Sequence, residues 1–421
     1  MADFADGFLL GAATSSHQVE GDNTGNDWWA FEAEAGRIAD GTRSGAACEW
    51  WAGRAEDDLR TAAELGHDAH RMSLEWSRLE PEPGVFDAAA FARYRAILEA
   101  GRGAGLRMFV TLNHFTLPRW VAVRGGWTHA STPTYFERFC ERAARELGAL
   151  VHAWATLNEP SVLAYMGYSG DRWPPAKANP IAGFVAIRRQ LDAHARGYRA
   201  VHRALPDARV GLVVNMPRFD PADPARRRDR AAAFAQDWAF SGSTVHALLH
   251  GELRPPLSSW RRPAPELRAT LDWIGLNFYG RYAVRFDPTK PGTAFGAHVQ
   301  VPTVKTEDND WGQPSPASMV AQLERLRALR VPLYVTENGT FGTDEEQVGF
   351  LESHLRALAA ARRGGLDVRG YFAWSLLDNF EWAEGWRTHF GHLALDRATQ
   401  TRRPRAVAER FARICRTRSV D

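Results

Sequence analysis

The 421-residue sequence is poor in cysteine and contains no long apolar run. Its three cysteines, Cys48, Cys140 and Cys415, are odd in number and lack CxxC spacing, which excludes a disulfide framework and a zinc knuckle. Reduced thiols and an N-terminus without signal-peptide features predict a cytoplasmic protein. No segment approaches the roughly 18 apolar residues of a membrane span, so we expect no membrane partner.

The sequence also lacks a large excess of positive or negative charge. The chain has 52 basic and 50 acidic residues, and only three of the basic residues are lysines. The arginine-rich run 226–230 is short and opens a helical segment, so we interpret it as a solvated helix face. We therefore expect no nucleic-acid partner. No motif specifies an oligomeric state.

Short apolar segments alternate with helical patterns along the whole chain. We predict strands at 8–13, 69–74, 107–112, 153–159, 210–214, 271–276, 333–336 and 368–374. Helices are predicted at 54–66, 91–100, 134–147, 186–205, 231–249, 318–329 and 347–361. This order predicts an α/β fold, a single-domain (β/α)8 TIM barrel over residues 1–421 with long loops at the C-terminal face. The longest irregular segment, 281–316, is expected to be one of those loops.

A doubly wound α/β sheet is the main alternative architecture. It would carry a glycine fingerprint directly after the first strand. The glycine-rich segment 101–105 precedes a strand instead, which places its backbone amides at the wrong end of the unit.

Two of the predicted strands end on a glutamate beside an asparagine. Asn158 and Glu159 close one strand, and Glu337 and Asn338 close another. A buried carboxylate costs several kcal/mol unless it is paired, so such acids indicate either a salt bridge or a site. Because parallel barrel strands end at one mouth, the two glutamates are predicted to face a common cleft, as glycosidic bond cleavage requires.

Other polar and aromatic residues also follow predicted strands. They are Gln18, Arg71, His114, Asn158, Asn277, Tyr279 and Trp374. This mixture of donors and acceptors suits a hydroxyl-rich ligand, and the 16 tryptophans favour one with sugar rings. A phosphate would need basic residues or glycine-rich amides. His67 and His70 lack a third ligand, so no metal and no cofactor are predicted.

Seven motifs together resemble glycoside hydrolase family 1, the β-glucosidase and β-galactosidase type. They lie at 8–21, 71–78, 111–118, 156–160, 276–279, 336–339 and 370–382 and span nearly the whole chain. The resemblance implies a (β/α)8 barrel, a retaining double displacement and a small-molecule β-glycoside or oligosaccharide substrate.

The resemblance also implies roles for individual residues. Glu337 matches the nucleophile and Glu159 the acid/base, so Glu159 should have a raised pKa and Glu337 should lie beside a cation. Arg71 and Tyr279 match the positions that hold the nucleophile. The substrate-binding candidates are Asn158 at the 2-hydroxyl, Gln18, His114, Glu381 and Trp382 at the other hydroxyls, Trp374 beneath the ring, Phe390 near C6, and the strand-end amide Asn277.

Two alternatives remain open on the sequence. A 6-phospho-β-glycosidase is disfavoured because Glu381 would repel the phosphate, and a catalytically silent sugar-binding barrel is disfavoured because both glutamates are present. The sequence departs from the family pattern at Phe278, Gln347 and His389, and the departure at His389, near C6, leaves the preferred sugar open. By loop position, the candidates for the outer cleft are Trp120, Trp127, Tyr165, Tyr168 and Trp311.

Overall fold

A closed barrel of eight parallel strands forms the centre of the molecule. The computed structural model describes residues 3–4, 7–299, 304, 306–307 and 309–421. The barrel strands are β1 (Leu9–Ala13), β2 (Ala69–Ser73), β3 (Arg107–Asn113), β4 (Ala153–Asn158), β5 (Val210–Asn215), β6 (Trp273–Asn277), β7 (Leu333–Asn338) and β8 (Val368–Trp374). Neighbours in sequence pair in parallel, and β1 pairs with β8 to close the ring. The predicted (β/α)8 fold is confirmed.

Helices surround the barrel. The longer ones are α1 (Ala55–Glu64), α2 (Ala88–Gly103), α3 (Thr132–Leu147), α4 (Pro180–Ala204), α5 (Arg227–Asp237), α6 (Pro316–Leu326), α7 (Asp344–Arg363) and α8 (Ala406–Thr417). The π-helical turn Trp238–Gly242 joins α5 to a further helix, Ser243–His250, where a single regular helix was predicted. Short helices are Ser16–Val19, Asp27–Phe31, Trp76–Leu79, Arg119–Ala122 and Pro160–Leu163.

Several helices begin earlier than predicted because their caps precede the apolar pattern. The Asp87 side chain accepts hydrogen bonds from the backbone N–H groups of Ala89 and Ala90 and so starts α2. Thr343 and Glu346 form a capping box that starts α7. Apolar periodicity places both starts later because these first turns are polar or solvent-facing.

The prediction that 281–316 is an irregular loop is wrong for residues 281–298, while residues 300–303, 305 and 308 of this segment lie outside the described residues. Arg281–Phe286 pairs in parallel with Arg218–Pro221 and antiparallel with Gly296–His298, which makes a three-stranded sheet. Alternate residues of its central strand, among them Val284, pack with Ala232 and Ala233 of α5. Two two-stranded hairpins, Glu252–Leu253 with Arg262–Pro263 and Leu393–Asp396 with Thr401–Pro404, complete the strands of the described chain.

Aromatic side chains fill the interior of the barrel. The Phe109 ring meets the rings of Trp273, Tyr334 and Phe372 edge-on, with centroids 5.8, 5.4 and 4.9 Å apart. Edge-to-face contacts of this kind stabilise the core beyond the area that they bury. These aromatic rings fill the barrel interior, so the polar side chains are found at its C-terminal mouth.

Irregular strand pairing changes the direction in which residues at that mouth point. The register of β4 with β5 shifts between Ala155 and Asn158, and that of β7 with β6 shifts between Val335 and Glu337. Such irregularities interrupt the strict alternation of side chains and are frequent next to active sites. They fall just before the two strand-end glutamates.

Candidate active site

Two buried glutamates occupy the mouth of the barrel. Glu337 is the penultimate residue of β7, and Glu159 follows the last residue of β4. The backbone of Glu159 is left-handed, with φ 47° and ψ 63°, and Pro160 begins a short helix directly after it. Both carboxyls are almost entirely removed from solvent.

Glu337 is held by a cation and a phenol. Arg71 Nη1 donates to Glu337 Oε1 at 2.6 Å, and the Tyr279 hydroxyl donates to Oε2 at 2.7 Å. Burial raises the pKa of Glu337, while Arg71 and Tyr279 favour its ionised form. Burial and the two glutamates raise the pKa of Tyr279 well above its usual range, so its hydroxyl remains a donor.

Glu159 has amide neighbours and no ion pair among the described residues. Asn277 Nδ2 donates to Glu159 Oε1 at 2.7 Å, and Asn215 Nδ2 donates to the same oxygen at 2.9 Å. Burial and the nearby Glu337 carboxylate raise the pKa of Glu159 to about 8. Only Glu337 touches a guanidinium, so the pair shares one proton at neutral pH and Glu159 carries it.

Hydrogen bonds connect the two acids. Asn277, which donates to Glu159, also interacts with the carboxylate of Glu337. Arg71 Nη2 donates to Asn158 Oδ1 at 2.7 Å, and Asn277 Nδ2 donates to that oxygen at 3.1 Å. The Thr336 hydroxyl donates to Asn277 Oδ1 at 2.7 Å, which fixes the orientation of the Asn277 amide.

These contacts also define the proton position on His114. The oxygen of Asn158 accepts from Arg71 and Asn277, so its Nδ2 faces His114 Nε2, at 3.1 Å. His114 Nε2 is therefore the acceptor and Nδ1 carries the hydrogen. Burial lowers the pKa of His114 well below its usual range, which keeps the ring neutral. Nδ1 is buried and has no protein partner in the described part of the chain.

Gln18 and Glu381 lie together on another side of the mouth. Gln18 Nε2 donates to Asn379 Oδ1 at 2.7 Å and to Glu381 Oε2 at 3.2 Å, and the Ser15 hydroxyl donates to Gln18 Oε1 at 2.6 Å. Burial and repulsion from Glu337 and Glu384 raise the pKa of Glu381 to about 8.

Aromatic rings line the mouth. The His114 imidazole stacks near Trp374 and Trp382, with centroids 6.0 and 6.1 Å away. The Phe390 ring meets Tyr279 edge-on at 6.1 Å and also packs with Trp311. The structure therefore brings every predicted site residue to one end of the barrel.

The outer-cleft candidates separate into two groups. Trp127 and Tyr168 are core residues, because both are fully buried and the Tyr168 hydroxyl accepts from the backbone N–H of Trp127 at 2.8 Å. Trp120 packs on Trp76 and Tyr135. Only Trp311, beside Phe390, and Tyr165, half of which is exposed, remain candidates for contact with a ligand.

Sequence reasoning missed two side chains that support the site. Asn215 donates to Glu159 from the last position of β5, where the strand was predicted to end one residue earlier. The rule that polar residues at strand ends mark the mouth would have identified it. Asn379 lies after β8 outside any strand, and its contact with Gln18 had no sequence signal.

The described residues contain no group of three or more histidines, cysteines or acids placed to hold a metal ion. None of the described helices is long and apolar enough to cross a membrane.

Comparisons with known proteins agree with this geometry. The chain is 29% identical to beta-glucosidase A of Thermotoga maritima, over 95% of this chain and 94% of the relative. It is 30% identical to a beta-galactosidase of Pyrococcus woesei, over 96% and 94%. The solved structure of a beta-glycosidase from Pyrococcus horikoshii superposes with a TM-score of 0.91 at 36% identity, covering 100% of this chain and 97% of that one.

A family model supplies the assignment. The model described as glycosyl hydrolase family 1 matches residues 1–420. That match covers both glutamates and every strand of the barrel, and the relatives cover almost the whole chain at about the same identity. This chain belongs to glycosyl hydrolase family 1.

Proposed function

We propose that the protein is an exo-acting retaining β-glycosidase that favours β-glucosides and also accepts β-galactosides or β-fucosides. The observation that carries the proposal is the contrast between the two buried acids. Glu337 lies against a guanidinium, whereas Glu159 is held by amides and has a pKa of about 8. Retaining glycosidases need this pairing of an ionised nucleophile with a protonated acid.

The two acids would act in sequence. The Glu337 carboxylate attacks the anomeric carbon while Glu159 gives its proton to the leaving oxygen, which forms a covalent glycosyl-enzyme. Glu159, now ionised, removes a proton from water, and the water displaces Glu337 to release the sugar with its configuration retained. Arg71 and Tyr279 orient Glu337 and stabilise it again as it leaves.

The remaining site residues suit the hydroxyl groups of one sugar ring. Asn158 is proposed to bind the 2-hydroxyl, where a hydrogen bond that strengthens in the transition state aids catalysis. Trp374 would support the ring and Phe390 would lie near C6. The other proposed sugar contacts are Gln18, His114, Asn277, Glu381 and Trp382.

The preference for a non-phosphorylated glucoside has two supports. Relatives include proteins named beta-glucosidase and one named beta-galactosidase. Glu381 supplies an acid where a sugar 6-phosphate would need basic groups, and burial and nearby acids raise its pKa to about 8, which disfavours the 6-phospho-β-glycosidase alternative. Gln347 donates to the backbone oxygen of His389, beside Phe390, and so helps to shape the C6 side.

We further propose that residues 1–421 form a single catalytic domain and that the enzyme works in the cytoplasm without a cofactor. All three cysteines are free and buried, which suits a reducing compartment.

Mass spectrometry after brief exposure to an activated 2-deoxy-2-fluoro-β-glucoside tests the proposal. The fluorine slows both chemical steps and the good leaving group rescues the first, so the glycosyl-enzyme accumulates. We expect one sugar adduct on the peptide that contains Glu337 and none in Glu337→Ala. Turnover of another β-glycoside without an adduct would contradict the glucose preference. Absence of both would favour a catalytically silent sugar-binding barrel.

A further inference from the structure

A second polar groove lies on the outer wall of the barrel, away from the mouth. It has a volume of about 550 Å³ and runs between α3, α4 and the hairpin of Glu252–Leu253 with Arg262–Pro263. On α4, the inward residues Gln190 and His194 contact Pro160 and Thr156 of the barrel side. Their outward neighbours line the groove, so the thickness of a helix separates it from the active site.

Five arginines line this groove, and three of them have no charge partner. Within the described residues, Arg188, Arg189 and Arg262 take part in no ion pair and their guanidinium groups make no hydrogen bond. Arg189 Nε is buried without a partner, a costly state for a cationic donor. Burial and the like charges of Arg189 and Arg262, which line the same groove, lower the pKa of Arg188.

The other two arginines are neutralised or held in place. Arg196 Nε lies 2.9 Å from Asp192 Oδ1, and Arg196 Nη1 lies 3.4 Å from Glu137 Oε2. Arg199 donates to the backbone oxygens of Ala195 and Glu266. Glu266 also lines the groove, so its three acids leave an excess of positive charge beside five arginines.

A neighbouring groove shows the usual arrangement on this surface. It lies along α3, and carboxylates pair with the arginines that line it: Arg142 with Glu146 at 2.8 Å, Arg145 with Glu141 at 2.6 Å, and Arg203 with Glu137 at 2.9 Å. Exposed arginines on these helices thus pair with acids where acids are available. The group Arg188, Arg189 and Arg262 departs from that pattern inside a concave site.

We infer that Arg188, Arg189 and Arg262 form a binding site for a diphosphate group. Guanidinium groups bind phosphate oxygens in pairs, and a diphosphate has enough charge and acceptor atoms to satisfy all three. The groove volume is typical of small-molecule sites. Leu253 and Leu267 add an apolar wall that could pack against an attached ring, as in a nucleoside diphosphate. This inference is independent of the proposed glycosidase function.

Isothermal titration calorimetry of the full chain with inorganic pyrophosphate and with ADP tests the site. We expect both ligands to bind and the affinity to fall as salt rises. The double variant Arg188→Gln/Arg189→Gln should weaken binding at least about tenfold, since it removes charge-assisted hydrogen bonds. Tighter binding of ADP would identify a nucleotide as the ligand, and equal affinities would identify the phosphate chain alone.

The variant Arg227→Gln/Arg228→Gln is the matched control, because it removes two adjacent arginines from an exposed helix end elsewhere. Turnover of a β-glucoside should be the same in both double variants and in the wild type. Failure of both ligands to bind, or equal loss of binding in the two double variants, would overturn the inference. Thermal denaturation of each variant without ligand checks that the fold is intact.

Discussion

The guanidinium of Arg71 joins the Glu337 carboxylate to the Asn158 amide at the barrel mouth. One nitrogen lies 2.6 Å from Glu337 Oε1 and the other lies 2.7 Å from Asn158 Oδ1, while a third, Nε, donates to the Thr111 hydroxyl at 3.1 Å. The side chains of Arg71 and Glu337 are only 2% and 4% exposed. The fork geometry of arginine therefore positions the proposed nucleophile and the proposed 2-hydroxyl contact together.

Arg71→Lys should lower kcat by about two to three orders of magnitude, because an ammonium group cannot make both contacts at once. Weaker pairing leaves burial to raise the pKa of Glu337 further, so the acidic limb of the kcat/KM profile should move to higher pH. Steady-state kinetics across pH measures both effects. Arg78→Lys is the matched control, since Arg78 pairs with the buried Glu20. An unchanged acidic limb in Arg71→Lys would contradict the assignment of Glu337.

Activity should decline as the pH rises through about 8, where Glu159 loses the proton that it donates. Glu159→Gln should remove this alkaline limb and slow substrates with poor leaving groups far more than dinitrophenyl glucosides, which need no acid. Asn215→Ala removes a hydrogen bond that lowers the pKa of Glu159, so its alkaline limb should move to higher pH. A Glu159→Gln variant equally slow on every leaving group would contradict the acid role.

Asn379 is expected to position Gln18. Its Nδ2 donates to Ser375 Oγ and to the Leu377 carbonyl, so its Oδ1 must face Gln18 Nε2. In Asn379→Ala the Gln18 amide can rotate, and KM for a β-glucoside should rise about tenfold with a smaller change in kcat. The pH profile should not move, because neither proposed catalytic acid is touched. A large fall in kcat at unchanged KM would instead indicate a disturbed nucleophile.

Glu381 should make the fold less stable as pH rises. Its pKa is about 8 in the folded protein, against an ordinary value of 4.5, so between these values the folded state binds the proton that the unfolded state has lost. The free energy of unfolding should therefore fall across that window. Glu381→Gln should remove this residue's share of the slope, worth on the order of a few kcal/mol, while the share due to Glu159 remains. Urea denaturation at pH 5 and pH 8 measures this change in the free energy of unfolding. An identical change in the variant and the wild type would contradict the raised pKa of Glu381.

Much of this site could be predicted because it depends on strand ends. Glu159 and Glu337 end buried strands, and in a parallel barrel that fact alone places them at one mouth. Family motifs then supplied their separate roles. The pattern could not show that Asn277 contacts both acids, since that depends on side-chain orientation after an irregular strand end.

Other features depend on contacts between distant segments. The pairing of Arg281–Phe286 with Arg218–Pro221 joins residues far apart in sequence, and no local pattern reports it. The alternation of Tyr282, Val284 and Phe286 was nevertheless a strand signal that the loop interpretation overlooked. Trp127 and Tyr168 were placed near the cleft by loop position, but loops at a barrel mouth also bury side chains beneath themselves.

The left-handed backbone at Glu159 lowers the stability of the fold, whereas the glutamate side chain at this position is needed for activity. A non-glycine residue at φ 47° costs of order 1 kcal/mol, and keeping the buried acid protonated above its ordinary pKa adds to that cost. Glu159→Gly relieves both, so it should raise the melting temperature while removing the proton donor. Selection for stability alone would therefore replace this glutamate, and only selection for turnover retains it.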